Sequence, residues 1–161
     1  MRPRPLFLQA GFTLMELIIV LVVVGVLSAY AMMRNSSSSV FSLLSQAQSM
    51  ASDIRHAQTL ATTWGKRLRI DTAGGANGVY TVSCVTPGAA PCNTSPVINP
   101  ATGTEFRVAL QKGIVLSGPA QLEIDSLGQP TAASTYVLTT GDDSLNLNVA
   151  ALTGDVTVVT P

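Results

Sequence analysis

The stretch that decides the fold is GFTLMEL at residues 11–17, which opens a nearly continuous apolar run from Phe12 to Met33. Glu16 is the only charged residue in that run. At about 1.5 Å of rise per residue, a helix of this length spans a hydrocarbon core of roughly 30 Å. The pattern therefore predicts a transmembrane helix over residues 12–34.

The eleven residues before the apolar run, MRPRPLFLQAG, are basic and contain no acid. By the positive-inside rule, Arg2 and Arg4 favour a cytoplasmic location for this leader. An ordinary secretory signal is the alternative. It would have a shorter apolar region followed by a small-x-small cleavage site. The run here is longer, and although Ser28 to Ala31 imitates such a site, the helical pattern continues beyond it.

Glu16 is the informative residue of the run. An acid at the centre of a membrane helix costs about 2.5–3.5 kcal/mol on insertion scales and less toward its ends. Such an acid indicates a function and needs a cationic partner. The alternative is a carboxylate that simply sits at the level of the lipid headgroups.

Together these residues resemble the prepilin processing site of type IV pilins and type II secretion pseudopilins. The resemblance implies that a membrane aspartyl peptidase cuts after Gly11 and methylates the new N-terminal amine of Phe12. It also implies that Glu16 pairs with such an ammonium between neighbouring subunits of a filament, where an unpaired buried charge is costly. Many family members carry a proline near the position of Met33, and this chain does not.

After a serine-rich break at 35–39 the pattern becomes amphipathic and continues to a stop at Gly65. Residues 35–64 are predicted to form the second half of one long helix, packed on a domain. A coiled-coil dimer is the alternative, but the apolar face is rich in alanine and short. The apolar positions recur at steps of three and four: Val40, Leu43, Leu44, Ala47, Met50, Ala51, Ile54, Ala57, Ala61 and Trp64.

Residues 65–161 form short β-type runs separated by Gly, Pro, Asn and Asp. The segment 73–78 is a hairpin-type turn. The predicted fold class is α+β and pilin-like, with one long N-terminal helix packed on an antiparallel β domain. The strands are expected at Lys66–Asp71, Val79–Cys84, Thr104–Leu110, Gly113–Ser117, Gln121–Asp125, Tyr136–Thr140, Leu145–Ala150 and Asp155–Thr160.

Two further segments sharpen the resemblance. Residues 54–70 are similar to the helix end and basic first strand of GspH/FimT-type minor pilins and of related MSHA-system minor pilins. Residues 124–130 (IDSLGQP) look like the internal strand and turn of that group.

Cys84 and Cys92 bracket a loop that runs from Pro87 to Pro91. Their spacing excludes a CxxC metal or redox site. In an exported domain a disulfide between them is the default expectation, and two free thiols are the alternative.

Catalytic patterns are weak, so we predict that the chain is not an enzyme and needs no cofactor or metal. His56 is the single histidine, so neither a histidine pair nor a Ser–His or Cys–His pair can form elsewhere. The pair Glu123 and Asp125 shares a strand face and is interpreted as solvated rather than catalytic. The pair Asp142 and Asp143 is interpreted as a turn rather than a calcium site.

The only basic cluster is Lys66, Arg67 and Arg69, within a mildly acidic domain. Some FimT-type minor pilins bind DNA through arginines near the C-terminus, but here residues 153–161 carry Asp155 and no basic residue. Because nucleic-acid binding depends on many contacts from Lys and Arg to phosphate, the sequence argues against it.

The leading prediction is a minor pilin or pseudopilin, a structural subunit of a type IV pilus or type II secretion filament. Its expected location is the bacterial inner membrane, with one membrane pass, a periplasmic C-terminal domain, and a filament after assembly. Expected partners are other pilin subunits, prepilin peptidase and membrane lipid. The alternatives are a DNA-binding minor pilin and a membrane-tethered receptor or enzyme domain.

Overall fold

The computed structural model describes residues 13–72 and 78–160. The predicted leader, Gly11, Phe12 and most of the predicted turn at 73–78 lie outside these residues. The described residues form one helix, α1 (Leu14–Trp64), and eight strands. The strands are β1 (Leu68–Asp71), β2 (Val79–Cys84), β3 (Arg107–Ala109), β4 (Val115–Ser117), β5 (Gln121–Ile124), β6 (Ser134–Thr140), β7 (Asp143–Val149) and β8 (Val156–Val159).

The strands form two antiparallel sheets of four strands each, in the orders β3-β2-β1-β5 and β4-β6-β7-β8. Each of the eight predicted runs overlaps one of these strands, and α1 ends at Trp64 as the stop at Gly65 predicts. Gly65 has a φ of 61°, the left-handed conformation that commonly ends a helix. The predicted α+β architecture, with one long N-terminal helix and an antiparallel β domain, is confirmed.

By its internal contacts the chain divides into two compact units, Met1–Ser38 and Ser39–Pro161. In the first unit, every described side chain from Thr13 to Tyr30 is exposed. No helix within the described residues combines the length and the hydropathy needed to cross a membrane.

In the second unit, one face of α1 is buried in the core with the inward faces of both sheets. The predicted apolar face is wrong at two positions, because Val40 is 45% exposed and Leu44 is 38% exposed. Leu60, which the pattern did not include, is buried. The buried residues of α1 are Leu43, Ala47, Met50, Ala51, Ile54, Ala57, Leu60 and Ala61.

Two glycines let turns of the β domain approach α1 closely. A Cβ added to Gly128 would lie 2.9 Å from Thr62 Cγ2 and 3.0 Å from the Gln58 carbonyl oxygen. A Cβ added to Gly154 would lie 2.6 Å from Gln58 Nε2, which donates a hydrogen bond of 2.8 Å to the Gly154 carbonyl. Both glycines also have a positive φ, so the backbone and the packing favour glycine for separate reasons.

Polar contacts also join α1 to the strands. The Arg55 guanidinium donates to the carbonyl oxygen of Val156, at the start of the edge strand β8. The Tyr80 hydroxyl donates to the Asp53 carboxylate. Burial, reinforced by that hydrogen bond and by the charge of Asp53, raises the pKa of Tyr80 far above its ordinary value. Burial alone raises the pKa of Tyr136 to about 12, and its hydroxyl has no hydrogen-bond partner among the described residues.

Candidate assembly site

Glu16 lies in the first turn of α1. Thr13 caps this turn, because its Oγ1 accepts a hydrogen bond of 3.2 Å from the Glu16 backbone N–H. The sequence Thr13-x-x-Glu16 is the capping-box pattern, a signal for the helix start that the sequence analysis missed. The partial positive charge at a helix N-terminus favours a carboxylate at this position.

The Glu16 carboxylate has no hydrogen-bond or ion-pair partner among the described residues. The apolar side chains around it are also exposed, with Leu14 at 77%, Met15 at 68% and Leu17 at 57%. This segment therefore presents one acid within an apolar surface that the described part of the chain does not cover. Gly11 and Phe12, the predicted cleavage and methylation positions, lie outside the described residues.

The apolar surface extends along the whole described part of the segment. Ile18, Leu21, Val24 and Leu27 are between 47% and 63% exposed, and they point in different directions around the helix. An α-helix that is apolar on every side is suited to an apolar surrounding rather than to water.

Cys84 and Cys92 are joined by a disulfide, with their Cα atoms 5.6 Å apart. The loop they close is also held by backbone bonds, from Gly88 N to Cys92 O (2.9 Å) and from Cys92 N to Ala89 O (3.0 Å). The predicted loop between the cysteines is thus closed covalently.

Two arginines of the basic cluster are neutralised within the domain. Arg67 Nη2 lies 2.7 Å from Glu123 Oε2, and Arg69 Nε lies 2.9 Å from Asp71 Oδ1. A carboxylate beside each guanidinium lowers the local positive potential that phosphate binding needs. Lys66 is exposed and has no ion-pair partner among the described residues.

The other candidate residues make local contacts within the domain. Glu123 and Asp125 do not act together, because Asp125 instead accepts backbone bonds from Leu127 (2.9 Å) and Gln129 (2.8 Å) in its own turn. His56 packs against Phe106 with ring centroids 5.7 Å apart, and its buried Nε2 has no hydrogen-bond partner in the described part of the chain.

Asp142 lies in the turn between β6 and β7, and Asp143 is the first residue of β7. Among the described residues no group of three or more His, Cys, Asp or Glu side chains could hold a metal ion.

Comparison with known proteins gives one family motif. Residues 7–32 match the prokaryotic N-terminal methylation motif. No curated protein matches the chain by sequence.

Solved structures resemble the fold at low sequence identity. The type IV minor pilin FimU of Pseudomonas aeruginosa superposes with a TM-score of 0.54 at 10% identity, over 73% of this chain and 87% of FimU. A second crystal form of FimU gives 0.53 at 10% identity, over 72% and 91%. The minor pseudopilin EpsH of the Vibrio cholerae type 2 secretion system gives 0.50 at 15% identity, over 71% of this chain and 94% of EpsH.

The fold of the described residues is therefore pilin-like, as the sequence predicts, with a long N-terminal helix and an antiparallel β domain. The chain thus combines an N-terminal methylation motif with a fold similar to those of FimU and EpsH.

Proposed function

We propose that this protein is a minor pilin or pseudopilin, a non-enzymatic subunit of a type IV pilus or type II secretion filament. Prepilin peptidase removes residues 1–11, and the new N-terminal amine of Phe12 is methylated. The observation that carries the proposal is Glu16, a single acid within an exposed apolar helical segment that overlaps the methylation motif. Its carboxylate has no partner among residues 13–72 and 78–160.

The large apolar side chains between Leu14 and Tyr30 are exposed. Removing apolar surface from water stabilises by about 25 cal/mol per Å². Before assembly, lipid would cover these side chains, with residues 12–34 crossing the inner membrane and residues 65–161 in the periplasm. In a filament, the same segments of neighbouring subunits would cover them.

Glu16 supplies specificity in that apolar setting. The Phe12 ammonium of one subunit pairs with the Glu16 carboxylate of another, and the pair fixes the axial register of the two helices. A buried pair contributes little net stability over an apolar substitute, but removing one partner costs about 3–5 kcal/mol.

The test is Glu16→Leu in cells that make the filament. Because each factor of ten corresponds to about 1.4 kcal/mol, we expect incorporation into sheared filaments to fall by at least about tenfold. Immunoblots of filament and membrane fractions measure it, while mass spectrometry checks cleavage and methylation. Met15→Leu, one residue away with no change of charge, is the matched control.

Cleavage and membrane insertion should be unchanged in Glu16→Leu, since the side chain is not needed for either. Normal incorporation of this variant would contradict the pairing. If Met15→Leu is incorporated normally and Glu16→Leu is not, the loss of incorporation is due to the missing charge.

A further inference from the structure

A groove of about 330 Å³ lies where three segments of the second unit meet. The segments are the residues that follow α1 (Gly65 to Arg67), the disulfide-closed loop between Cys84 and Cys92, and Ser126 in the turn after β5. The volume is at the lower end of the range for ligand sites, roughly 300–1,000 Å³. It suits a short segment with a few side chains.

The charge of this groove differs from that of the domain around it. Residues 65–161 carry more acids than bases. The lining of the groove nevertheless includes Lys66 and Arg67 and no carboxylate. Glu123 pairs with Arg67 from outside the lining, so Lys66 supplies the unpaired positive charge.

Hydroxyl groups add donors beside this charge. Thr86 and Ser126 both line the groove, and neither side chain has a hydrogen-bond partner among the described residues. Lysine and hydroxyl donors together suit a carboxylate, which accepts several hydrogen bonds at once.

The loop that forms one wall is held by bonds within the chain. The disulfide closes it, the Gly88–Cys92 and Ala89–Cys92 backbone bonds brace it, and Val85 N donates a bond of 3.0 Å to Arg67 O. A wall that is cross-linked in this way has less conformational freedom to lose on binding.

We propose that this groove binds an acidic peptide segment of a neighbouring filament subunit, with a Glu or Asp carboxylate at Lys66. The inference rests on the proposed filament function and adds a contact surface to it. A peptide is favoured over nucleic acid because the cations at Arg67 and Arg69 are each paired with a carboxylate. A single unpaired lysine matches one carboxylate rather than a run of phosphates.

The experiment uses the full chain, extracted from membranes in mild detergent. Fluorescence anisotropy measures binding of a labelled hexaglutamate peptide, with hexaglutamine as the uncharged control. We expect hexaglutamate alone to bind, with an affinity that falls at high salt. Lys66→Glu should lower the affinity by at least about tenfold.

Lys112→Glu is the matched control, because Lys112 is also exposed and lies outside the groove lining. It makes the same change in net charge and should leave the affinity within about twofold. Lys66→Arg should keep most of the binding, and circular dichroism checks that each variant is folded. Reduction of the Cys84–Cys92 disulfide should weaken binding, because the loop that forms one wall of the groove then gains conformational freedom.

Failure of the wild-type chain to bind hexaglutamate overturns the inference, as does equal binding by Lys66→Glu. Equal losses in Lys66→Glu and Lys112→Glu reduce the effect to net charge and overturn it too. Tighter, Lys66-dependent binding of single-stranded DNA would assign the groove to nucleic acid instead.

These outcomes are independent of the Glu16 experiment. Normal incorporation of Glu16→Leu with intact hexaglutamate binding would remove the proposed pairing and leave a peptide groove. Reduced incorporation of Glu16→Leu without hexaglutamate binding would remove the groove contact and leave the filament function.

Discussion

Both halves of α1 carry many apolar residues, but within the described part of the chain only the second half buries them. From Leu14 to Tyr30 the large apolar side chains are 47–77% exposed. In the half that follows, Leu43 and Ile54 are each 1% exposed, and polar residues occupy the opposite face. One helix thus contains two different kinds of apolar surface.

The difference follows from the arrangement of the apolar residues. In the second half they repeat at steps of three and four, which makes one stripe that a sheet can cover. In the first half they occupy every side, so a partner on one side could cover only part of the surface. The first half is therefore suited to apolar surroundings on every side, and the second half to the chain's own core.

Matched isoleucine substitutions should give the largest difference between the two halves in the free energy of unfolding. Ile54→Ala removes a buried side chain and should lower the free energy of unfolding by about 2–5 kcal/mol. Ile18→Ala should change it by less than about 0.5 kcal/mol, since Ile18 is 47% exposed. Urea unfolding of the full chain in mild detergent, followed by the fluorescence of the single tryptophan, Trp64, measures both. Equal losses would show that the first half packs within the chain.

Glycine substitutions test how closely the β domain packs against the second half of α1. Gly128→Ala should destabilise by about 1–3 kcal/mol, because the new Cβ would press on Gln58 and Thr62 at a strained φ. Gly141→Ala is the control, with a φ of 57° and no atom within 4 Å of the new Cβ. This control variant has only the backbone strain, so its free energy of unfolding should fall by less. The same unfolding assay ranks them, and a larger loss at Gly141 would refute the close packing.

Substitutions at two buried tyrosines should give the smallest changes in the free energy of unfolding. Tyr80→Phe breaks the bond to Asp53 and should cost about 1–2 kcal/mol of unfolding free energy. Tyr136→Phe removes a buried hydroxyl that has no partner among the described residues, and should be neutral or slightly stabilising. Similar losses in both variants would mean that the Asp53 contact contributes nothing to holding the helix.

Local patterns in the sequence predict much of this fold. The apolar stripe and Gly65 predict the end of α1, and alternating runs between turn residues predict all eight strands. The ends of strands are less certain, since β6 begins at Ser134 and β7 at Asp143, each two residues before its predicted start. Polar residues such as Ser134 and Asp143 have weak strand propensity, and cross-strand pairing supplies the difference.

Contacts between distant residues could not be predicted in this way. The Tyr80–Asp53 and Arg67–Glu123 pairs depend on which strands and helix faces meet, and local sequence patterns do not reveal that. The groove beside Lys66 is a similar case, because its three walls come from separate parts of the chain. At Thr13 the signal was present as a capping box and was missed.

The most direct test of the central claim is the N-terminus of the mature protein, read by mass spectrometry in cells with and without prepilin peptidase. The proposed function predicts a chain that begins with N-methylated Phe12 when the peptidase is present, and an uncut chain with the leader when it is absent. A Met1 start in both strains would contradict it and would leave residues 12–34 as an ordinary uncleaved anchor.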